Sequence, residues 1–173
     1  MDEVCCFQPA QEEDLDAVFR LIDGRIRWME EKGLHQWNET DYWGVYPPAH
    51  YRALMQRREL YVLRMGARIT AAAALLTEDE RWPQDGVRAL YVHHLASQAG
   101  EKGAGALALD FCEAIARSRK MDYLRLDCAA DNERLNRYYA QRGFLPAGDF
   151  TEGPYTGTRR QKRLAGCACC AKQ

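Results

Sequence analysis

The sequence predicts a mixed α/β fold: several strands forming one sheet, with helices packed on it. Three observations carry that expectation. Apolar residues recur with helical spacing between Leu15 and Met29, and with a period of two between Tyr123 and Cys128. Leu60–Met65 and Ile69–Leu76 flank Gly66-Ala67, a hairpin signal. The apolar run Val87–Leu95 leads through the glycine-rich stretch ASQAGEKGAGA, residues 96–106, into a second, helix-like apolar run. Strand, glycine turn and helix in that order expose bare backbone N–H groups at the positive end of a helix dipole, which suits an anion such as a phosphate.

In chain order, Val4–Gln8 reads as a strand ended by Pro9. Glu12, Glu13 and Asp14 suit the first turn of a helix, and Leu15, Val18, Phe19, Ile22, Ile26 and Met29 give it one apolar face. Gly24 interrupts that helix, at a cost of about 1 kcal/mol relative to Ala, and Lys32-Gly33 ends it. Leu34–Pro48 reads as a loop rich in aromatics, which either seal the core edge or line a substrate pocket. Pro47 and Pro48 start a short helix over Ala49–Arg57.

After the hairpin and the charged loop Thr77–Gly86 come the strand Val87–Leu95, the glycine turn and its helix. Arg117, Arg119 and Lys120 lie at that helix's negative end. Tyr123–Cys128 is a strand. Asp131 or Asn132 caps a helix in which Leu135, Tyr138 and Tyr139 share a face, and Gly143 ends it. Phe144–Phe150 and Thr158–Leu164 are the last strands, around the turn residues Gly153, Pro154 and Gly157. The basic run Arg159, Arg160, Lys162 and Arg163 reads as a solvated edge strand guarded by charge.

The chain has 173 residues, with 24 Lys plus Arg against 25 Asp plus Glu, a formal net charge of −1. A neutral chain of this length reads as one domain, residues 1–166, that does not coat nucleic acid by bulk charge. No apolar run reaches the roughly 18 residues of a membrane span, and the acidic N-terminus lacks a signal-peptide pattern. The expectation is a cytoplasmic protein with reduced thiols and no membrane partner. Of seven cysteines, Cys112 and Cys128 fall in apolar runs and Cys5 and Cys6 in the first strand. The rest crowd a Cys-rich tail, residues 167–173, which has no C-x-x-C or nearby His, so no metal site is expected.

Two segments together are more specific than either alone: Gly100–Gly105 (GEKGAG), and Asn132–Phe144 (NERLNRYYAQRGF). This pairing resembles the GNAT family of acetyl-CoA-dependent N-acetyltransferases. Gly103 and Gly105 match the family turn, while Asn132, Tyr139, Gly143 and Phe144 match its second segment. Gly100 stands where the family usually has Arg or Gln. The resemblance covers roughly residues 4–164 and implies a GNAT-like, mostly antiparallel sheet. That sheet is splayed at a cofactor cleft and flanked by about four helices.

It further implies acetyl-CoA as cosubstrate, its pantetheine paired to backbone of Leu95, Ala96 and Ser97. The pyrophosphate would rest on Gly100, Glu101, Lys102, Gly103, Ala104, Gly105 and Ala106, with Asn132 on the pantetheine arm and Tyr139 near the thioester sulfur. Acetyl transfer needs a proton for the leaving thiolate and a base for the amine. Tyr139 is the candidate acid. His93 and His94 are candidate bases, and because neighbouring strand residues alternate, only one is expected to face the cleft. Glu59 and Asp127 come behind them. Trp28, Trp37, Tyr42 and Tyr155 are candidate acceptor-binding residues for a small-molecule or peptide amine. A homodimer stays open. So do two other functions: an acyl-CoA-binding sensor or scaffold without catalysis, and a nucleotide-binding protein, although no G-K-[ST] follows the glycines as a P-loop requires.

Overall fold

The computed structural model describes residues 5–164; the Cys-rich tail lies outside the described residues. The strands are β1 (Cys5–Pro9), β2 (Leu60–Met65), β3 (Arg68–Leu76), β4 (Ala89–Ser97), β5 (Tyr123–Ala129), β6 (Leu145–Glu152) and β7 (Tyr155–Arg163). They form one sheet in the order β1-β2-β3-β4-β5-β7-β6. Every neighbouring pair is antiparallel except β4 and β5. The helices are α1 (Leu15–Lys32), α2 (Tyr42–Val45), α3 (Pro48–Gln56), α4 (Ala104–Ser118) and α5 (Glu133–Gln141). The expected element order holds. The aromatic loop adds the one-turn α2 and a 3₁₀ turn, Trp37–Glu39.

Each face of the sheet has its own core. On one, Val18, Ile22, Tyr51 and Leu54 of α1 and α3 pack on Leu60, Val62, Ala72 and Ala74. On the other, Leu109, Cys112 and Ala116 of α4 pack on Leu90, Leu124, Leu126 and Cys128, with Tyr139 and Phe144. The buried run Ala71–Ala74 keeps the middle of β3 thin enough for both layers. Helix α1 runs unbroken through Gly24. Its buried Val18, Leu21, Ile22 and Met29 each contribute about 1.5–3 kcal/mol, which outweighs the cost of one glycine. The buried Asp14 anchors its start, accepting from the Gln11 N–H at 2.9 Å and pairing with Arg64.

Two expectations about the C-terminal strands are corrected. β7 is not an edge: it lies between β5 and β6, and β6 is the edge. Three of its four basic residues are engaged, Arg159, Arg160 and Lys162, while Arg163 is exposed as expected. Arg160 is buried and donates to Asn136 Oδ1 and the Phe144 carbonyl at 2.9 Å each, and Lys162 pairs with Glu113 at 2.6 Å. Gly157 is not in the turn, which Gly153-Pro154 makes alone, but inside β7 under the Phe150 ring. A Cβ at Gly157 would come within 2.5 Å of Phe150 Cε1, so the close approach requires glycine.

Candidate active site

Strands β4 and β5 pair only at Ala89–Tyr91 with Tyr123–Arg125 and then part. Beyond Tyr91, β4 keeps β3 on one side and β5 keeps β7 on the other, so the edges facing each other have no strand partner among the described residues. A cavity of about 890 Å³ opens there. Its walls come from α1 (Arg25, Trp28), the aromatic loop (Trp37, Tyr42, Tyr46), β4 (His93, His94, Leu95, Ser97) and the start of α4 (Gly105, Ala106). They continue through β5 (Leu126, Asp127), α5 with its cap (Asn132, Leu135, Tyr138, Tyr139) and the last hairpin (Glu152, Pro154, Tyr155).

Most residues expected at the site therefore converge on one cleft: Trp28, Trp37, Tyr42, His93, His94, Leu95, Ser97, Gly105, Ala106, Asn132, Tyr139 and Tyr155. Ala96 is buried in the core beneath α1. Gly100–Ala104 are not in the cavity wall. They form the adjoining turn and the first residue of α4; Gly100 and Gly103 adopt φ of 85° and 90°, and Gly103 is the N-cap of that helix. Helix α4 starts at Ala104, one half-turn before the apolar run suggests. Glu59 is outside the cleft, paired with Arg57 at 2.8 Å.

Both histidines line the cleft, contrary to strict alternation. Ala72 and Ala74 of β3 pair with Ala96 and His93, so Ala73 alone faces His94 and Leu95. This bulge carries a positive φ of 52° at His94 and turns its ring toward the side His93 already faces, with ring centroids 5.9 Å apart.

The two rings have different partners. His93 Nε2 is 2.9 Å from Asp79 Oδ2, and its Nδ1 has no hydrogen bond among the described residues. Asp79 also accepts the Arg81 backbone N–H at 2.9 Å. Burial alone would raise the Asp79 pKa; His93 and Arg81 outweigh it and hold the carboxyl below its usual range. Beside this pair, Asp127 accepts the Tyr155 hydroxyl at 2.9 Å and lies 3.9 Å from Arg81 Nη1. Burial raises the pKa of Asp127 and of Tyr155. Asp79, His93 and Asp127 bring one polar atom each within 4.8 Å of one another, and the Asp127 carboxylate also faces Arg81 and Tyr155.

His94 uses both nitrogens: Nδ1 is 2.7 Å from the Tyr42 hydroxyl and Nε2 is 3.2 Å from His50 Nε2. Tyr42 also meets the Tyr51 hydroxyl at 2.6 Å. Burial, then the neighbouring His93, His50 and Arg81 charges, push the His94 pKa well down.

Across the cleft, Tyr139 is nearly buried, and burial raises its pKa, which keeps the phenol protonated. Its hydroxyl has no hydrogen bond among the described residues, and it is not a sealed, unpartnered atom, so it opens into the cavity. Asn132 caps α5, its Oδ1 accepting the Leu135 N–H at 3.0 Å. Arg25 donates to the Ser97 carbonyl and hydroxyl at 2.6 and 2.8 Å and lies over Trp28.

Asp79, Arg81, Arg25 and His50 escaped the sequence reading. A charged loop and a helix face offer no local sign of what they meet. For Asp79 the weak signal was its place in the loop leading to the histidine strand.

Comparison with known proteins agrees with this architecture. The chain is 25% identical over 148 residues to the uncharacterized N-acetyltransferase YesJ of Bacillus subtilis (strain 168), covering 79% of each chain. A GNAT-family acetyltransferase structure from Streptococcus agalactiae 2603 superposes with a TM-score of 0.77 at 18% identity, over 93% of this chain and 96% of that one. The PaiA N-acetyltransferase of Thermoplasma acidophilum, solved with coenzyme A, superposes at 0.73 and 14% identity, over 93% and 99%. Finally, a model of the acetyltransferase (GNAT) family matches residues 20–144, from within α1 through the splayed strands and α5. The chain with this parted sheet and glycine turn is therefore a member of the GNAT acetyltransferase family.

Proposed function

We propose that the protein transfers an acetyl group from acetyl-CoA to the primary amine of a small molecule or peptide. The observation that carries this reading is the unpaired β4 edge opening into a cleft that has His93–Asp79 on one side and the free Tyr139 hydroxyl on another. The free edge suits an extended amide-bearing chain, and the turn at Gly100–Ala106 suits a pyrophosphate, so these residues fit the pantetheine and phosphates of coenzyme A. Leu95, Ser97 and Asn132 are the proposed arm-binding groups. When bound, the cosubstrate supplies an activated thioester.

The chain's own residues supply binding and proton handling. Asp79 fixes the His93 tautomer with the proton on Nε2, leaving Nδ1 to accept a proton from the amine. Tyr139 Oη holds a proton for the departing sulfur, and protonated His93 can restore it through water in the shared cavity. Trp28, Trp37, Tyr42 and Tyr155 form apolar walls for the acceptor, with Asp127 and Glu152 as the acidic groups nearest an incoming ammonium. The same reading keeps the enzyme in the cytoplasm, where acetyl-CoA is made and used.

The test is a panel of amines (phenethylamine, tryptamine, spermidine, lysine and a serine-initiated peptide) with acetyl-CoA, read by release of free thiol. Amine-dependent thiol release is expected. Well-folded protein that binds acetyl-CoA more weakly than about millimolar, or releases no thiol with any amine, would sink the proposal.

A further inference from the structure

Resting on the acetyl-transfer reading, we infer that Tyr42, His94 and His50 form a proton conduit from the cleft to solvent, with His50 as its outer station. An amine arrives largely as the ammonium, and its first proton must leave before the nitrogen can attack. His93 can serve the second proton, lost as the amide forms, but the first has to reach bulk water.

The geometry supplies a continuous path. Tyr42 and His94 line the cavity; His50, on α3, stands behind them, half-buried and outside the cavity wall. The hydroxyl of Tyr42 is 2.7 Å from His94 Nδ1, and His94 Nε2 is 3.2 Å from His50 Nε2. Two imidazole nitrogens at that distance share one proton, so one ring donates and the other accepts. The bulge that brings His94 there holds a histidine at φ 52°, a strained conformation for a side chain with a Cβ that clusters at functional sites.

The balance closes without any change of oxidation state. A proton reaching the Tyr42 oxygen displaces the phenolic proton to His94 Nδ1. The Nε2 proton of His94 passes to His50 Nε2, and His50 releases its Nδ1 proton to solvent. The groups around the pair favour the outward direction. His94 faces Tyr42, Tyr46, Tyr51, His50 and His93, with Arg81 nearby. His50 faces Tyr46 and Tyr51, with Arg57 and His93 charges nearby. Burial and these cations depress His94 well below the ordinary histidine range and His50 in the same direction but less, so an added proton settles on His50.

Two measurements on the full chain decide the matter. Ring-nitrogen NMR of ¹⁵N-histidine protein should show His94 protonated on Nε2 at neutral pH, and the pair's first added proton on His50. Protonation of His94 before His50, or two rings titrating independently, overturns the inference. In kinetics with the best amine of the panel, His50→Gln should lower kcat about tenfold, leave the KM for acetyl-CoA unchanged, and recover with imidazole in the buffer. A His50→Gln enzyme with wild-type kcat overturns the conduit alone. So does a loss that imidazole does not restore, whether or not the melting temperature falls. Wild-type protein inactive on every amine removes the acetyl-transfer reading, and the conduit with it.

Discussion

His93 and Asp79 are fourteen residues apart in sequence and 2.9 Å apart in space, joined through Nε2 and Oδ2 across the loop between β3 and β4. This contact selects the tautomer that leaves Nδ1 open. Asp79→Asn can turn an amide N–H to the ring and select the other tautomer. Its kcat should fall about 10–100-fold while the acetyl-CoA KM stays near wild type. Steady-state kinetics checks this; an unchanged kcat would remove Asp79 from the machinery.

Tyr139→Phe keeps the ring that packs on Phe144, 5.7 Å between centroids, and removes only the hydroxyl. Turnover should drop by about 10²-fold, with little change in cofactor affinity. Titration calorimetry with coenzyme A beside thiol-release assays separates the two effects. Equal losses in both would make Tyr139 a binding residue.

Gly103 adopts φ 90° where α4 begins. An alanine there has open space for its Cβ but an unfavourable backbone, costing about 1–2 kcal/mol. Gly103→Ala should weaken coenzyme A binding more than it lowers kcat at saturation, since the turn's N–H groups move and the proton-handling residues do not. The dissociation constant is the readout.

Gly157→Ala tests packing instead of conformation. Its Cβ meets the Phe150 ring at 2.5 Å, so the hairpin must shift. A loss of about 1–3 kcal/mol in urea unfolding is expected, against a smaller loss for the double variant with Phe150→Leu, in which the Tyr155 ring, 2.9 Å from the same Cβ, still has to give.

Stability should also fall in mild acid. The native pKa of His94 lies below its unfolded value near 6.5. The unfolded chain therefore takes up a proton that the native chain refuses, and the stability present above about pH 6.5 is lost as pH falls toward the native value. His50 acts with the same sign. Between about pH 7.5 and 5 the unfolding free energy should drop, and His94→Gln should flatten that slope whatever it does to the absolute value. Denaturant melts at both pH values measure it.

The sequence alone determined what depends on neighbours along the chain. The element order, the glycine turn ahead of α4, a cap at Asp131 or Asn132 and the Tyr139 face of α5 all follow from periodicity, capping and backbone freedom, which act within a few residues; the structure gives the cap to Asn132. The aromatic loop was legible too, as composition, though not which of its rings meet His94. Tertiary structure decided the rest. Strand alternation allowed one histidine in the cleft; the bulge admitted both, because Ala73 of β3 faces two residues of β4 and only the pairing of two distant strands sets that count. Asp79 reached His93, and His50 reached His94, through the packing of a loop and a helix against the sheet. The basic run became an interior strand once β6 took the edge, and its charges met Glu113, Asn136 and a backbone carbonyl far along the chain. Side-chain partnership between remote segments depends on how whole elements pack, and no local pattern encodes it.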